Sequence, residues 1–268
     1  MNEKSKSTLE KMSKKMRLQN YSERSIAIYI SYTKKFLSSF KVDVYHISTK
    51  EAKIYIENYN YSSISQQNQI INSIKFLYRE LLNNKLTILK ISRPRKERKL
   101  PKIIDSELIK NRLSKIVNLK HQAILSITYS VGLRVSEIVN LKIKDIDSVR
   151  MLIHIKNAKG RKDRIVPLSP TVLTILREYY KKYKPTNYLF NGQKSLRYSI
   201  SSCQKIYKKY INNETSIHNL RHSSFTHMLE NGTDLRIIQK IAGHSSSKTT
   251  EIYTHVSNKI LNKVILPL

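Results

Sequence analysis

Apolar residues in the first 93 positions recur at helical spacing, with Ile26, Tyr29, Ile30, Phe36, Leu37 and Phe40 on one helix face. Ser48-Thr49-Lys50-Glu51 has the form of a capping box ahead of Ala52, Tyr55, Ile56 and Tyr59. Ser65 is placed to cap a third helix that turns Ile70, Ile71, Ile74, Leu77, Tyr78 and Leu81 inward. No proline precedes Pro94 and no glycine precedes Gly132, so this region lacks both strong helix breakers. The pattern predicts an all-α N-terminal domain over residues 1–91.

The periodicity then stops. Residues 92–102 hold six basic residues and two prolines, a composition that suits an extended linker. A solvated spacer and a segment lying along a phosphate backbone, through Arg93, Arg95, Lys96, Arg98 and Lys99, both fit it. From Ile103 the pattern is mixed, and residues 103–268 read as a second domain. Asp105 is a cap for a helix through Ile116, and a second helix from about Lys120 to Val131 ends at Gly132. Residues 151–155 and 164–168 alternate as strands and are joined as a β-hairpin by residues 156–163. Ser169-Pro170 fits the cap and first position of a helix over 171–183. Further helices are expected near 199–211, 216–230, 234–241 and 249–256, with Gly232 and Gly243 as punctuation. The fold class is mainly α with a small β-sheet, α+β.

Charge changes the picture. Lys plus Arg number 50 against 19 Asp plus Glu, a net charge of +31. A compact chain that repels itself this strongly has an anionic partner as its natural explanation, and nucleic acid fits better than a membrane surface. The basic residues run along the whole chain and form no basic amphipathic helix. The 13-residue stretch 121–133, free of Lys, Asp and Glu and of Arg, is too short to span a bilayer and suits a buried helix. The Lys-dense N-terminus has no apolar core of a secretory signal, and Cys203 stands alone, so a cytoplasmic location at the nucleoid is expected.

The candidate chemistry is narrow. One cysteine, eight histidines without an HExxH arrangement and sparse acids leave no metal site to argue, and no phosphate-binding glycine loop is present. A phosphate-processing site must then draw its positive charge from Arg, Lys and His. His218 and Arg221, three apart, share one helix face and follow Thr215-Ser216, where free backbone N–H groups also favour an anion. Arg offers a bidentate fork and His a proton acceptor near neutral pH. Arg134 follows the apolar helix and a glycine, and Glu137 is spaced to pair with it; a plain structural ion pair reads the same. Lys159 sits in the hairpin turn beside Arg161 and Lys162, where a solvated basic loop is the alternative. Tyr253 is one of 17 tyrosines, but it follows Gly243-His244 closely, and Thr249 or Thr250 is placed to cap its helix. A tyrosine is a competent nucleophile on phosphorus when cations stabilise its phenolate.

Four segments occur in order: GLRVSEI at 132–138, AKGRKDRIVPL at 158–168, HNLRH at 218–222 and GHSSSKTTEIYTH at 243–255. Together they resemble the tyrosine recombinases, the phage integrase family, with a layout similar to Xer-type recombinases and simple integrases. The resemblance implies a SAM-like helical core-binding domain and a catalytic domain that close on duplex DNA as a C-shaped clamp. It implies Arg134, Lys159, His218, Arg221, His244 and Tyr253 as the catalytic set, with Glu137 supporting Arg134. By it, Tyr253 forms a 3′-phosphotyrosyl bond, the two arginines and His244 bind the phosphate, His218 takes the tyrosine proton and Lys159 protonates the leaving 5′-oxygen. It further implies a reaction without metal or ATP, a homotetramer on DNA, strand exchange through a Holliday junction, and a tail, residues 258–268, packed on a neighbour. Only 58 residues separate Lys159 from His218, fewer than in many relatives, and no N-terminal extension for arm-type sites is expected. Rival readings are a topoisomerase IB-like relaxing enzyme, a non-catalytic DNA-binding protein on the same scaffold, and a basic RNA-binding protein.

Overall fold

A computed structural model of the chain describes residues 3–82, 91, 93, 100–156, 163–193, 195–244, 246 and 248–254. The chain divides into two compact units, Met1–Arg98 and Lys99–Leu268.

The first unit is helical: α1 (Glu3–Leu18), α2 (Glu23–Ser38), α3 (Thr49–Asn58) and α4 (Ile64–Glu80). The capping box forms as its sequence requires, with Glu51 N donating to Ser48 Oγ at 3.2 Å and Ser48 N donating to Glu51 Oε2 at 2.8 Å. The α4 cap lies two residues earlier than the sequence pattern indicated. Gln66 N donates to Ser63 Oγ at 3.1 Å, which leaves Ser65 inside the first turn. Helix α1 has a weak apolar signature, burying Leu9, Met12 and Met16 with the small Ser5 and Thr8, and its periodicity is masked by lysines. α2 packs against α1 and α4, and α3 against α4. Phe36, Ala52, Ile56, Ile70, Ile74 and Leu77 fill the core, beside a smaller cluster of Met12, Met16, Ile26 and Phe76. Arg93 donates to Asn72 Oδ1 at 2.8 Å and to Asn68 Oδ1 at 3.4 Å, on α4. Arg95, Lys96, Arg98 and Lys99 lie outside the described residues.

The second unit places α5 (Ser106–Ser114), α6 (Leu119–Val131) and α7 (Val135–Asn140) ahead of a small sheet. The strands β1 (Ile146–Asp147), β2 (Leu152–Ile155) and β3 (Arg164–Pro167) form an antiparallel sheet in the order β1-β2-β3, with Ile153 opposite Val166. Then come α8 (Pro170–Tyr183), α9 (Ile200–Tyr210), α10 (His218–Glu230), α11 (Leu235–Ala242) and the single turn α12 (Lys248–Glu251). α6 is the central helix; Ala123, Ile124, Leu125 and Ile127 are buried and it packs against α5, α7, α8, α9 and α10. The N-terminal half of α10 is tied to the start of the unit, since Asn219 Nδ2 donates to Lys102 O at 2.8 Å and Ile104 N donates to Ser223 Oγ at 3.0 Å. The last helix is shorter than the expected 249–256. Tyr253 N donates to Thr250 O and Thr254 N to Glu251 O, both at 3.0 Å, so the chain tightens into three-residue turns and Tyr253 lies just beyond α12. No described helix is long and apolar enough to cross a membrane.

Gly132 ends α6 in the left-handed region, φ 62°. A Cβ built there would lie 2.5 Å from Phe225 Cζ on α10. Gly132→Ala is therefore expected to destabilise by about 2–4 kcal/mol, through left-handed backbone and overpacking together. Calorimetry should show the unfolding transition of the second unit lowered by several degrees, with that of the first unit unmoved. An unchanged transition would contradict the close approach of α6 and α10.

Candidate active site

One face of α10 carries most of the chemistry. His218, Arg221, His222 and Phe225 stand three and four residues apart, the spacing that lines side chains along a helix. Arg221 is 1% exposed, and its guanidinium is held by the ends of two other helices. Nη1 donates to Gly132 O beyond α6, and Nη2 donates to Ala242 O, the last residue of α11, at 2.7 Å. Helix C-termini leave carbonyls without intrahelical partners and carry partial negative charge, so they suit a cation. The guanidinium carbon also stands 4.7 Å from the centroid of the Phe225 ring. Burial and then Arg134 push the Arg221 pKa down, but a guanidinium stays cationic in a protein.

Arg134 is positioned differently, by a carboxylate. It caps α7; Arg134 N donates to Glu137 Oε2 at 2.8 Å and Arg134 Nη1 donates to Glu137 Oε1 at 2.9 Å. Glu137 is shared. Arg164, on β3, forks onto both of its oxygens at 2.8 Å, and Arg164 Nε donates to Ile241 O on α11 at 2.7 Å. Arg164 thus ties the hairpin to α7 and to the end of α11. Burial raises the Glu137 carboxyl, but the Arg164 fork and the bonds from Arg134 outweigh it and hold the group at about 2.

The third part closes over α10. Gly243 ends α11 at φ 60°, and His244 follows it. Arg221 Nη2 lies 3.1 Å from His244 Nε2, and His244 Nδ1 lies 2.9 Å from Thr250 Oγ1. Arginine has no acceptor, so Nε2 must accept and the ring proton must sit on Nδ1, which donates to Thr250. The imidazole is therefore neutral, in keeping with burial and Arg221 pushing it down to about 4. Tyr253, 1% exposed, packs on Phe225 with ring centroids 5.5 Å apart, and its hydroxyl lies 3.2 Å from His222 Nδ1. His218 meets His222 edge-on at 4.5 Å. Burial is the main cause that lowers His218, brings His222 to about 4 and raises the Tyr253 phenol, the last offset in part by Arg221 and Arg134.

Five of the six residues expected from the sequence thus gather in one place: Arg134, His218, Arg221, His244 and Tyr253, with Glu137 behind them. Lys159, Arg161 and Lys162 lie outside the described residues, as does the tail 258–268. Sequence reasoning gives no role to Arg164 or His222, and it suggests Thr250 only as a helix cap, whereas its hydroxyl holds His244. The signal for Arg164 is its place on a strand rather than in the basic turn. His222 had a signal too, four residues after His218 on the same helix face. Among the described residues, no group of three or more His, Cys, Asp or Glu is placed to hold a metal ion. Among the described residues, three guanidiniums, Arg134, Arg164 and Arg221, act on one another here against one carboxylate, so the cluster carries an excess of positive charge and is suited to an anion.

Residues 102–259 match the Phage integrase family, and residues 8–88 match the Phage integrase, N-terminal SAM-like domain. The tyrosine recombinase XerA of Pyrococcus horikoshii is 33% identical over 267 residues, covering 96% of this chain and 92% of that protein. Among solved structures, the XerH site-specific recombinase bound to its palindromic difH substrate, a post-cleavage complex, superposes with a TM-score of 0.75 at 25% identity, covering 96% of this chain and 83% of that one. A lambda integrase tetramer bound to a Holliday junction shares the fold, with a TM-score of 0.72 at 14% identity over 92% of this chain and 76% of that one.

The buried ionisable groups fix a pH dependence. An unfolded chain takes up protons at the ordinary values of 6.5 for His222 and His244 and 4.5 for Glu137, ahead of the folded chain in each case. Stability is therefore lost as pH falls, through the histidines from 6.5 to about 4 and through Glu137 from 4.5 to about 2. Glu137→Gln should remove the lower part of that fall and destabilise by about 3–5 kcal/mol at neutral pH, because two arginines lose their counter-charge. Thermal midpoints measured across pH check this. A variant that keeps the wild-type slope below pH 4.5 would contradict the assignment of that part to Glu137.

Proposed function

The chain belongs to the phage integrase family and is a tyrosine recombinase, an enzyme that breaks and rejoins DNA strands, and we propose that Tyr253 is its nucleophile in site-specific recombination of duplex DNA. The observation that supports this most is the buried tyrosine bonded to His222 and within the field of Arg221 and Arg134, in a cluster whose described cations outnumber its carboxylate.

The chemistry follows from the groups present. The Tyr253 oxygen attacks the scissile phosphorus and the bond to the 5′-oxygen breaks, leaving a 3′-phosphotyrosyl linkage and a free 5′-hydroxyl. Negative charge grows on the two non-bridging oxygens, and Arg134 and Arg221 stabilise it with donors that are already oriented. Glu137, itself gripped by Arg164, holds Arg134, the helix-end carbonyls and His244 hold Arg221, and His244 turns from Arg221 to bind the phosphate. The phenol proton passes to the histidine pair of α10, and Lys159 supplies the proton that the leaving oxygen needs. The covalent ester conserves the phosphodiester energy, so attack by a 5′-hydroxyl of a second strand reverses the step without ATP. Exchange of strands between two sites calls for four copies on DNA, as in the lambda integrase tetramer on its Holliday junction. In that assembly the 258–268 tail packs on a neighbouring copy. Arg93, Arg95, Lys96, Arg98, Lys99, Arg161 and Lys162 lie along the phosphate backbone, and the protein works at the nucleoid.

Sheared host DNA incubated with the full chain in the presence of a chelator, then denatured and sequenced from the protein-bound fraction, tests the proposal. One recurring sequence should be covalently attached to wild-type protein and to none of the Tyr253→Phe variant. On a nicked duplex of that sequence, Arg134→Ala and Arg221→Ala should slow adduct formation by about 10²–10³-fold each while leaving binding largely intact. Affinity should fall by about 0.9 log units per log unit of salt for each phosphate neutralised. An adduct that persists in Tyr253→Phe would sink the assignment.

A further inference from the structure

The family resemblance names a histidine for the tyrosine proton by its position in a motif, but the hydrogen bond to the phenol is made by a different one. The Tyr253 ring is 1% exposed, so bulk water has poor access to its hydroxyl. The proton must leave through a neighbouring group. Arg221 offers only donors. His244 has both nitrogens engaged, one with Arg221 and one with Thr250. Thr250 Oγ1 already accepts from His244, and an aliphatic hydroxyl is too weak a base to hold the proton. The His218 ring faces the edge of His222 at 4.5 Å. His222 Nδ1 stands 3.2 Å from the Tyr253 hydroxyl, with ring centroids 5.8 Å apart.

We propose that His222 is a catalytic residue, the proton acceptor for Tyr253. As the phenol oxygen bonds to phosphorus, its proton passes to His222 Nδ1 and the bond from phosphorus to the 5′-oxygen breaks; the leaving oxygen takes its proton from a separate donor. In rejoining, the 5′-hydroxyl of the incoming strand attacks phosphorus, its proton returns to that separate group, and Nδ1 gives its own proton back to the departing phenolate. Nδ1 must be unprotonated to accept, which fixes the resting tautomer with its proton on Nε2. Burial together with His218 and Arg221 keeps the ring neutral at physiological pH. The anionic phosphodiester, entering beside it, favours the imidazolium just when the proton has to move. His218 then acts as the edge-on neighbour that orients His222.

The inference rests on Tyr253 being the nucleophile, and the experiment separates the two. The substrate is a nicked duplex carrying the sequence captured covalently with wild-type protein. His222→Ala should form adduct about 10²–10⁴-fold more slowly with binding unchanged, and added imidazole should restore a measurable part of the rate. His218→Ala should not be restored in this way. A wild-type rate in His222→Ala, or a loss that imidazole does not touch, overturns the role of His222 while Tyr253→Phe remains inactive. An adduct in Tyr253→Phe overturns the nucleophile itself. A second measurement needs neither DNA nor turnover. In protein labelled with nitrogen-15 at histidine, the His222 Nδ1 resonance should move on Tyr253→Phe and the His218 resonances should move less; an unmoved Nδ1 overturns the proposal.

Discussion

A guanidinium with almost no contact with water has to be compensated from within the protein. Arg221 meets that demand with no directly bonded carboxylate among the described residues. Two helices, α6 and α11, end at left-handed glycines and direct their final carbonyls at it, while Phe225 covers its face. Dipolar groups hold the charge without neutralising it, so the site keeps its attraction for an anion. The positions of α6, α10 and α11 follow from this one contact set. Gly132 has to be glycine both for its backbone and for the Phe225 ring beside it.

The other arginines are handled by a formal charge. Glu137 binds Arg134 and Arg164 together, and Arg164 reaches on to α11. One carboxylate is thereby connected to the hairpin strand, to the helix that presents Arg134, and to the residues ahead of His244. A shift of the hairpin would be felt at Arg134 and at the end of α11 alike. Removing the carboxylate would leave both arginines facing a third. This arrangement places a single acid at the centre of a chain that has 19 acids against 50 basic residues.

Much of this was legible in the chain itself, and the rest was hidden for identifiable reasons. Helices bounded by strong punctuation could be read directly: Ser48 and Glu51 cap α3, Asp105 caps α5, Gly132 and Gly243 stop α6 and α11. α1 was concealed because lysines crowd its small apolar stripe, and α7 and β1 are too short to carry a period. Tyr253 was read as helical because Thr249 and Thr250 resemble a cap, yet Thr250 turns inward to His244. The motif residues came from the family resemblance that four ordered segments carry; five of them lie together in the fold, and Lys159 is outside the described residues. The support around them was not legible, since Arg164 meets Glu137 across 27 positions and Arg221 meets Gly132 across 89. No local pattern reports contacts that distant.

The central claim is that one tyrosine among 17 carries the DNA through its phenol oxygen. The most direct measurement is mass spectrometry of the covalent complex after digestion by protease and nuclease. The account predicts a single modified peptide, with a nucleotide joined through its 3′-phosphate to Tyr253. A nucleotide on another residue, or one joined through its 5′-phosphate, would contradict it.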